Sequence, residues 1–210
     1  MLIREVVLAS ENPGKLREMN ALLNGLDIEV IPQSRFSIPE VAETGISFVE
    51  NSIIKARNAA LHTKLPTIAD DSGLEVDVLA GASPGVFSAR YAGESASDEE
   101  NLDLLIEMIK GTNEERPTAR FQCSIVFLRN AEDAMPIIAQ GTWHGHIITT
   151  PKGENGFGYD PVFYVPTHSC TSAELKPAEK NKISHRAQAM QELIDKLSVV
   201  NSNSALDSHN

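Results

Sequence analysis

The stretch Ile68-Ala69-Asp70-Asp71-Ser72-Gly73-Leu74 decides how this chain is read. A run of small or apolar residues, Thr67 to Ala69, enters two adjacent carboxylates, and a hydroxyl and a glycine follow. This predicts a buried strand that presents Asp70 and Asp71 at its carboxyl end, with Gly73 turning the chain away. In open α/β sheets, ligands sit just beyond the carboxyl ends of strands. Two neighbouring carboxylates repel each other unless a cation lies beside them, and Mg²⁺, a hard ion that takes oxygen ligands, suits that place. Asp-Asp-Ser-Gly alone also suits an ordinary turn, because Asp, Ser and Gly all favour turns.

On the N-terminal side, Val6 to Ala9 reads as a buried strand ending in Ser10-Glu11-Asn12-Pro13-Gly14-Lys15. Leu16, Met19, Leu22 and Leu23 then recur at helical spacing, with Gly25 as the stop. Strand, polar loop and helix in that order aim backbone N–H groups and the positive helix end at an anion. Lys15 in the first turn opposes the helix dipole unless an anion sits there. The Walker spacing is missing, so the loop reads equally as an anion site or as an ordinary N-cap. Ile28 to Ile31 reads as a second strand, and the loop from Pro32 to Ile46 carries Glu40 and Glu43. Ser47 and Glu50 form a capping box for a helix reaching about Lys64, with Val49, Ile53, Ala56 and Ala60 on its apolar stripe. Nothing local removes Lys55 from the solvated face of that helix.

On the C-terminal side, Leu74, Val76 and Val78 alternate with acids, and Gly81 to Gly85 is rich in turn formers. Ser97 and Glu100 form a second capping box, opening a helix with Leu102, Leu105, Ile106 and Ile109 inward and Gly111 at its end. Thr118 to Leu128 reads as a strand whose Ala119, Phe121, Cys123, Ile125 and Phe127 share one face, which makes Cys123 a core residue. Pro136 to Ala139 and Thr142 to Ile148 read as two strands of a meander. His144 and His146 share a face there without a third metal ligand nearby. The glycine-rich loop Pro151 to Pro161 holds Phe157 and Tyr159. Phe157 could offer its ring to a planar ligand or plug a core gap. Val162 to Val165 follows as a strand. Ser184 reads as the N-cap of a last helix with Ala187, Met190, Ile194 and Leu197 inward, which leaves His185 and Arg186 opposing the dipole in its first turn.

A chain of 210 residues with 41% hydrophobic and 22% charged content suits one globular domain or one domain of two lobes. The net charge of -11 argues against nucleic acid as the main partner but leaves room for a small phosphorylated substrate in a local pocket. The sequence holds no apolar run long enough for a membrane span, and its first residues lack a signal peptide's apolar block. Its two cysteines, Cys123 and Cys170, show no metal spacing, so a reduced, cytoplasmic protein is expected.

In this order and spacing the motifs resemble one family closely: the inosine/xanthosine triphosphate pyrophosphatases. The resemblance runs from about Val6 to Leu197. It rests on Ser10-x-Asn12-x-Gly14-Lys15, Phe48-x-Glu50-Asn51 with Lys55, Ala69-Asp70-Asp71-Ser72-Gly73-Leu74, Pro84-Gly85, Ser88-Ala89-Arg90-Tyr91, Gly156-Phe157-Gly158-Tyr159-Asp160-Pro161 and Ser184-His185-Arg186. The loop before Pro84 is a residue longer than the family's usual form. The resemblance implies an α/β fold: a long, twisted mixed β-sheet flanked by helices, in two lobes with the active-site cleft between them. Residues 1–198 would form that single two-lobed domain, residues 199–210 a frayed polar tail, and the protein a homodimer.

The resemblance also implies the chemistry: hydrolysis of ITP, dITP and XTP to the monophosphate and pyrophosphate, with Mg²⁺. Ser10, Glu11, Asn12, Pro13, Gly14 and Lys15 would bind substrate, with Ser10, Asn12 and Lys15 on the triphosphate and Lys55 assisting. Asp71 would bind Mg²⁺ and act as base for water, and Ser72 would contact substrate. Glu43 would be the second metal partner, with Glu40 and Asp70 as the alternatives. Phe157 would stack on the base, and Gly158, Tyr159, Asp160, Lys180, His185 and Arg186 would surround its edge. Two other readings use the same residues: a non-enzymatic nucleotide-binding regulator, and a pyrophosphatase for a different modified nucleotide.

Overall fold

In the computed structural model of this chain, residues 3–23 and 28–206 are described, with 199–206 described by backbone alone. The helix stop expected at Gly25 lies outside the described residues. Strand β1 (Glu5–Ala9) leads through residues 10–12 into helix α1 (Pro13–Leu23), and β2 (Glu29–Pro32) follows. Helix α2 (Phe48–Thr63) opens as its sequence requires: Ser47 accepts the Glu50 N–H, and the Glu50 carboxylate accepts the Ile46 N–H. It closes at Lys64 in the left-handed conformation. Strand β3 (Thr67–Val76) comes next, then 3-10 turns at Ala80–Ala82 and Gly85–Arg90. Helix α3 (Asp98–Lys110) starts at a full Ser97–Glu100 capping box. Strands β4 (Thr118–Leu128), β5 (Ile137–Ile147), β6 (Phe163–Val165) and β7 (Cys170–Thr171) precede helices α4 (Pro177–Ile183) and α5 (His185–Leu206).

Among the described residues, seven strands form one mixed sheet in the order β2-β1-β3-β4-β5-β6-β7. β1 pairs in parallel with β2 and β3, whereas β6 pairs antiparallel with β5 and β7. None of the described helices is long and apolar enough to cross a membrane.

The chain divides into two compact units. The first comprises residues 1–71, 123–141 and 186–210. Its strands are apolar on both faces, as strands covered by helices must be. On one face Val6, Leu8, Ile68, Ile125 and Phe127 pack with Met19 and Leu23 of α1 and Met190, Leu193 and Leu197 of α5. On the other, Ala9, Ala69, Val126 and Leu128 pack on Ala56 and Ala59 of α2. The second unit comprises residues 72–122 and 142–185. Here one sheet face is apolar: Leu74, Val76, Phe121, Trp143, Ile147 and Phe163 pack with Leu105, Ile106 and Ile109 of α3. The alternate positions are polar and tied to each other, Arg120 to Glu75 and Asp77, and Gln122 to Glu75. Each fully buried Leu, Ile or Phe in these cores contributes roughly 1.5–3 kcal/mol.

Four expectations change. Gly73 does not turn the chain: β3 continues through Asp70, Asp71, Ser72 and Gly73. It is β1 that ends there, its last rung being Ala9 with Ala69, so the two carboxylates lie just past the carboxyl end of β1. The expected pair of strands at residues 136–148 is the single strand β5, which passes straight through Gly141. Glycine at position 145 is required by packing, since a Cβ there would lie 2.6 Å from the Phe163 ring. Ser184 separates α5 from a short helix, α4, that the sequence pattern did not announce. The last helix runs to Leu206, past the boundary expected at residue 198.

Candidate active site

The loop after β1 resolves into an N-cap. Asn12 Oδ1 accepts the N–H groups of Gly14 and Lys15 at 2.8 and 3.0 Å, with Pro13 at the first helical position, where its missing N–H costs nothing. Two of the donors that could have cradled an anion are thus engaged by Asn12. Ser10 is half-buried, Glu11 exposed and Gly14 buried. Lys15 reaches back from the first turn to place Nζ 3.2 Å from Asp70 Oδ2.

Asp70 is buried and has a second cation. Arg186, from the first turn of α5, sets Nη2 3.2 Å from the same oxygen and pairs through Nη1 with Glu18 of α1. Burial works to raise the Asp70 pKa, but Lys15, Arg186 and Lys55 outweigh it and hold the carboxyl well below its usual range. The two cations that oppose helix dipoles, Lys15 and Arg186, therefore find their counter-charges within the chain.

Asp71 points to the opposite face of β3 and is treated differently. Burial pushes its carboxyl up, Glu43 adds to the push, and Lys55, Lys15 and Asn51 only partly offset it. Asn51, fully buried in α2, donates Nδ2 to Asp71 Oδ2 at 3.2 Å. Its Oδ1 accepts the Gly45 N–H at 2.8 Å. One amide thereby fixes Asp71 and anchors the loop that carries Glu43. Lys55 is not on a solvated face: its Nζ lies 3.2 Å from Asp71 Oδ1 and 2.9 Å from Glu43 Oε1. Adjacent residues, Asp70 and Asp71, thus have environments that push their pKa values apart, the pattern that separates a fixed anion from a base.

Asp71 Oδ1 and Glu43 Oε1 converge on a single cation, and carboxylate oxygens are the donors Mg²⁺ takes. Among the described residues, no three His, Cys, Asp or Glu side chains converge as a metal cluster.

The remaining predicted residues lie in the second unit, where Asp160 organises the glycine-rich loop. It is buried, and its oxygens accept the Phe157 N–H at 2.9 Å, Ser172 Oγ at 2.7 Å and Lys180 Nζ at 2.6 Å. A side chain at Gly156 would put a Cβ 1.9 Å from Asp160 Oδ2, on a backbone with φ of 82°. Phe157 is half-buried and does not plug the core; Lys180 stands over its ring, Nζ 5.1 Å from the centroid. The Gly158 N–H donates to Asp98 Oδ2 at 2.9 Å, and a depression of about 240 Å³ lies between the start of α3 and residues 154–158. Tyr159 is buried and donates its hydroxyl to Ser88 O. His185 is buried against Phe121, ring centroids 4.8 Å apart and 14° from parallel. Ser72 is half-buried on β3.

The model of the Ham1 family matches residues 6–196. The chain belongs to the Ham1 family. A dITP/XTP pyrophosphatase of Vibrio parahaemolyticus is 55% identical to this Ham1 chain over 93% of its length and 98% of the relative's. Among solved structures, a HAM1 protein from Coxiella burnetii superposes with a TM-score of 0.86 at 50% identity, covering 93% of this chain and 99% of that one. The Staphylococcus aureus Ham1 protein gives 0.80 at 42% identity, over 93% and 98%.

Three residues of this Ham1 chain were not assigned a role from sequence. Asn51 carried a signal, an amide among the small residues of a helix stripe, where a buried amide must have partners. Glu18 and Asp98 carried none: each reads in sequence as an ordinary helical surface position, and only the fold supplies Arg186 and the Gly158 N–H.

Proposed function

We propose that this chain hydrolyses deaminated purine nucleoside triphosphates, dITP, ITP and XTP, to the monophosphate and pyrophosphate. One observation carries the chemistry. Lys15, Lys55 and Arg186 are matched against Glu18, Glu43, Asp70 and Asp71, three cations against four carboxylates. Such a cluster repels a polyanion until a divalent cation joins it. Asp71 and Glu43 would hold Mg²⁺ there, and when bound it supplies charge neutralisation and polarised phosphorus–oxygen bonds.

Asp71 is the base. Its raised pKa favours proton uptake from water, and Asn51 holds the oxygen that is not turned to the cation. Asp70 stays ionised and holds Lys15 and Arg186 in place. Lys15 and Lys55 neutralise the phosphate chain. Water attacks the α-phosphorus, and pyrophosphate leaves.

Phe157 stacks on the base with the ring held by its backbone bond to Asp160. Lys180, whose ammonium lies 5.1 Å from that ring's centroid, would turn from its partners toward the carbonyl at position 6 of hypoxanthine and xanthine. Adenine's amino group would meet it donor to donor, and a site built for one hydrogen bond can reject the mismatch by as much as ~10⁴–10⁵. Asp160, with both oxygens engaged by the chain, positions the loop. The protein acts in the cytoplasm as a homodimer, for which sedimentation velocity at micromolar concentration is the check.

A panel of ITP, dITP, XTP, ATP, GTP and pyrimidine triphosphates with Mg²⁺ tests the specificity. The first three turning over far ahead of ATP supports it. Preference for another nucleotide, or binding without turnover, replaces it with one of the two rival readings.

A further inference from the structure

We propose that Lys55 is a built-in stand-in for the divalent cation, occupying the carboxylate pair Glu43–Asp71 in competition with the ion and surrendering it most readily when a triphosphate offers the ammonium a new partner. The inference rests on the reading of Glu43 and Asp71 as metal partners.

The geometry is specific. The ammonium lies 2.9 Å from Glu43 Oε1 and 3.2 Å from Asp71 Oδ1, on the two oxygens that converge. It is only 18% exposed, and Glu43 is 27% exposed, so water screens the contacts incompletely. Asp71 cannot offer its other oxygen as an equal alternative, since Asn51 Nδ2 occupies it. Asn51 also holds Gly45, two residues beyond Glu43, and a Cβ at Gly45 would strike Asn51 Oδ1 at 2.7 Å. Both carboxylates are therefore presented toward one place, and a divalent ion and the Lys55 ammonium compete for the same lone pairs.

The neighbouring Asp70 shows the contrast between a movable and a fixed cation. Arg186 is 1% exposed and held by both Asp70 and Glu18, with no room to leave. Lys55 ends a flexible four-carbon stem on a single helix, and an ammonium rotates its donors freely between acceptors. A triphosphate brings phosphate oxygens that can accept those donors while delivering its own Mg²⁺ to the carboxylates. Metal and nucleotide would then bind with positive coupling, and coupling is reciprocal between the two ligands. Without nucleotide the site resists loading with a metal, which limits binding of an unproductive ion.

The test uses Mn²⁺ as probe on the full chain, read by the electron paramagnetic resonance of free Mn²⁺ and not by turnover. Wild type should bind Mn²⁺ weakly without nucleotide. Lys55→Met should bind it about tenfold tighter or more, a modest demand for removing a unit charge within ~4 Å at a partly screened site. Adding Asp71→Asn to that variant should abolish the gain. A non-hydrolysable ITP analogue should tighten Mn²⁺ binding in wild type and much less in Lys55→Met. Equal Mn²⁺ affinity of wild type and Lys55→Met overturns the proposal. Should Lys55→Met not fold, wild type alone decides: Mn²⁺ should raise the rate at which Lys55 is acylated, mapped by mass spectrometry, and an unchanged rate overturns the exchange. If Mn²⁺ competition holds while no nucleoside triphosphate is hydrolysed, the exchange stands and the hydrolase reading falls. If ITP is hydrolysed while the affinities are equal, only the exchange falls.

Discussion

Arg186 Nη2 lies 3.2 Å from Asp70 Oδ2, with both side chains 1% exposed. This pair joins the first turn of α5 to β3, and Arg186 also holds Glu18 of α1. Breaking a buried pair costs about 3–5 kcal/mol where it leaves a charge uncompensated, and less here, because Lys15 stays 3.2 Å from Asp70. Arg186→Leu should therefore lower the urea midpoint steeply, and Arg186→Leu with Asp70→Leu should recover part of the loss. A single variant as stable as wild type would show that Asp70 is satisfied without Arg186.

Asn51→Ala should cost about 1–3 kcal/mol, the desolvation penalty of leaving the Gly45 N–H and an Asp71 oxygen unpaired. Because the same amide anchors the Glu43 loop, the Mg²⁺ concentration for half-maximal activity should also rise. Stability lost with the Mg²⁺ dependence unchanged would confine Asn51 to packing.

Asp71→Asn should remove turnover while preserving the fold, as the change removes the proposed base and a charge but little volume. Positioned general-base catalysis is typically worth roughly 10²–10⁴-fold. Retention of more than about a tenth of wild-type activity, at an unchanged melting temperature, would take the base role from Asp71.

How much of this was legible in sequence depended on the range of the interactions. Strand β4 could be read from Ala119, Phe121, Cys123, Ile125 and Phe127, because strict alternation is a local signal. The caps at Ser47 and Ser97 span three residues and were equally legible. Strand β5 was not, because Gly141 is a turn former by habit, and only neighbouring strands make it continue. The site's residue types were visible in the motifs, but their pairing was not. Lys55 read as a surface cation because Glu43 and Asp71 reach it only in the fold. The pairing of Arg186 with Asp70 was not legible, because the two lie 116 residues apart.

Gly156→Ala should disturb the glycine-rich loop, since its Cβ would meet Asp160 Oδ2 at 1.9 Å on a backbone of φ 82°. KM for ITP should rise more than kcat falls. Equal kinetics would show that the Asp160-held loop does not set the position of Phe157.

Cys123 should resist thiol reagents. Burial is the main cause that pushes its thiol up to about 12, so little reactive thiolate forms near neutral pH. Ellman's reagent on native protein should titrate the half-buried Cys170 first, and Cys123 only after denaturation. Two thiols reacting at once in native protein would contradict the buried core position.

The reaction itself is tested most directly by ³¹P NMR of ITP incubated with the protein and Mg²⁺. IMP and pyrophosphate should appear in equal amounts, with neither IDP nor orthophosphate. Formation of IDP and orthophosphate, or an unchanged ITP spectrum, would contradict it.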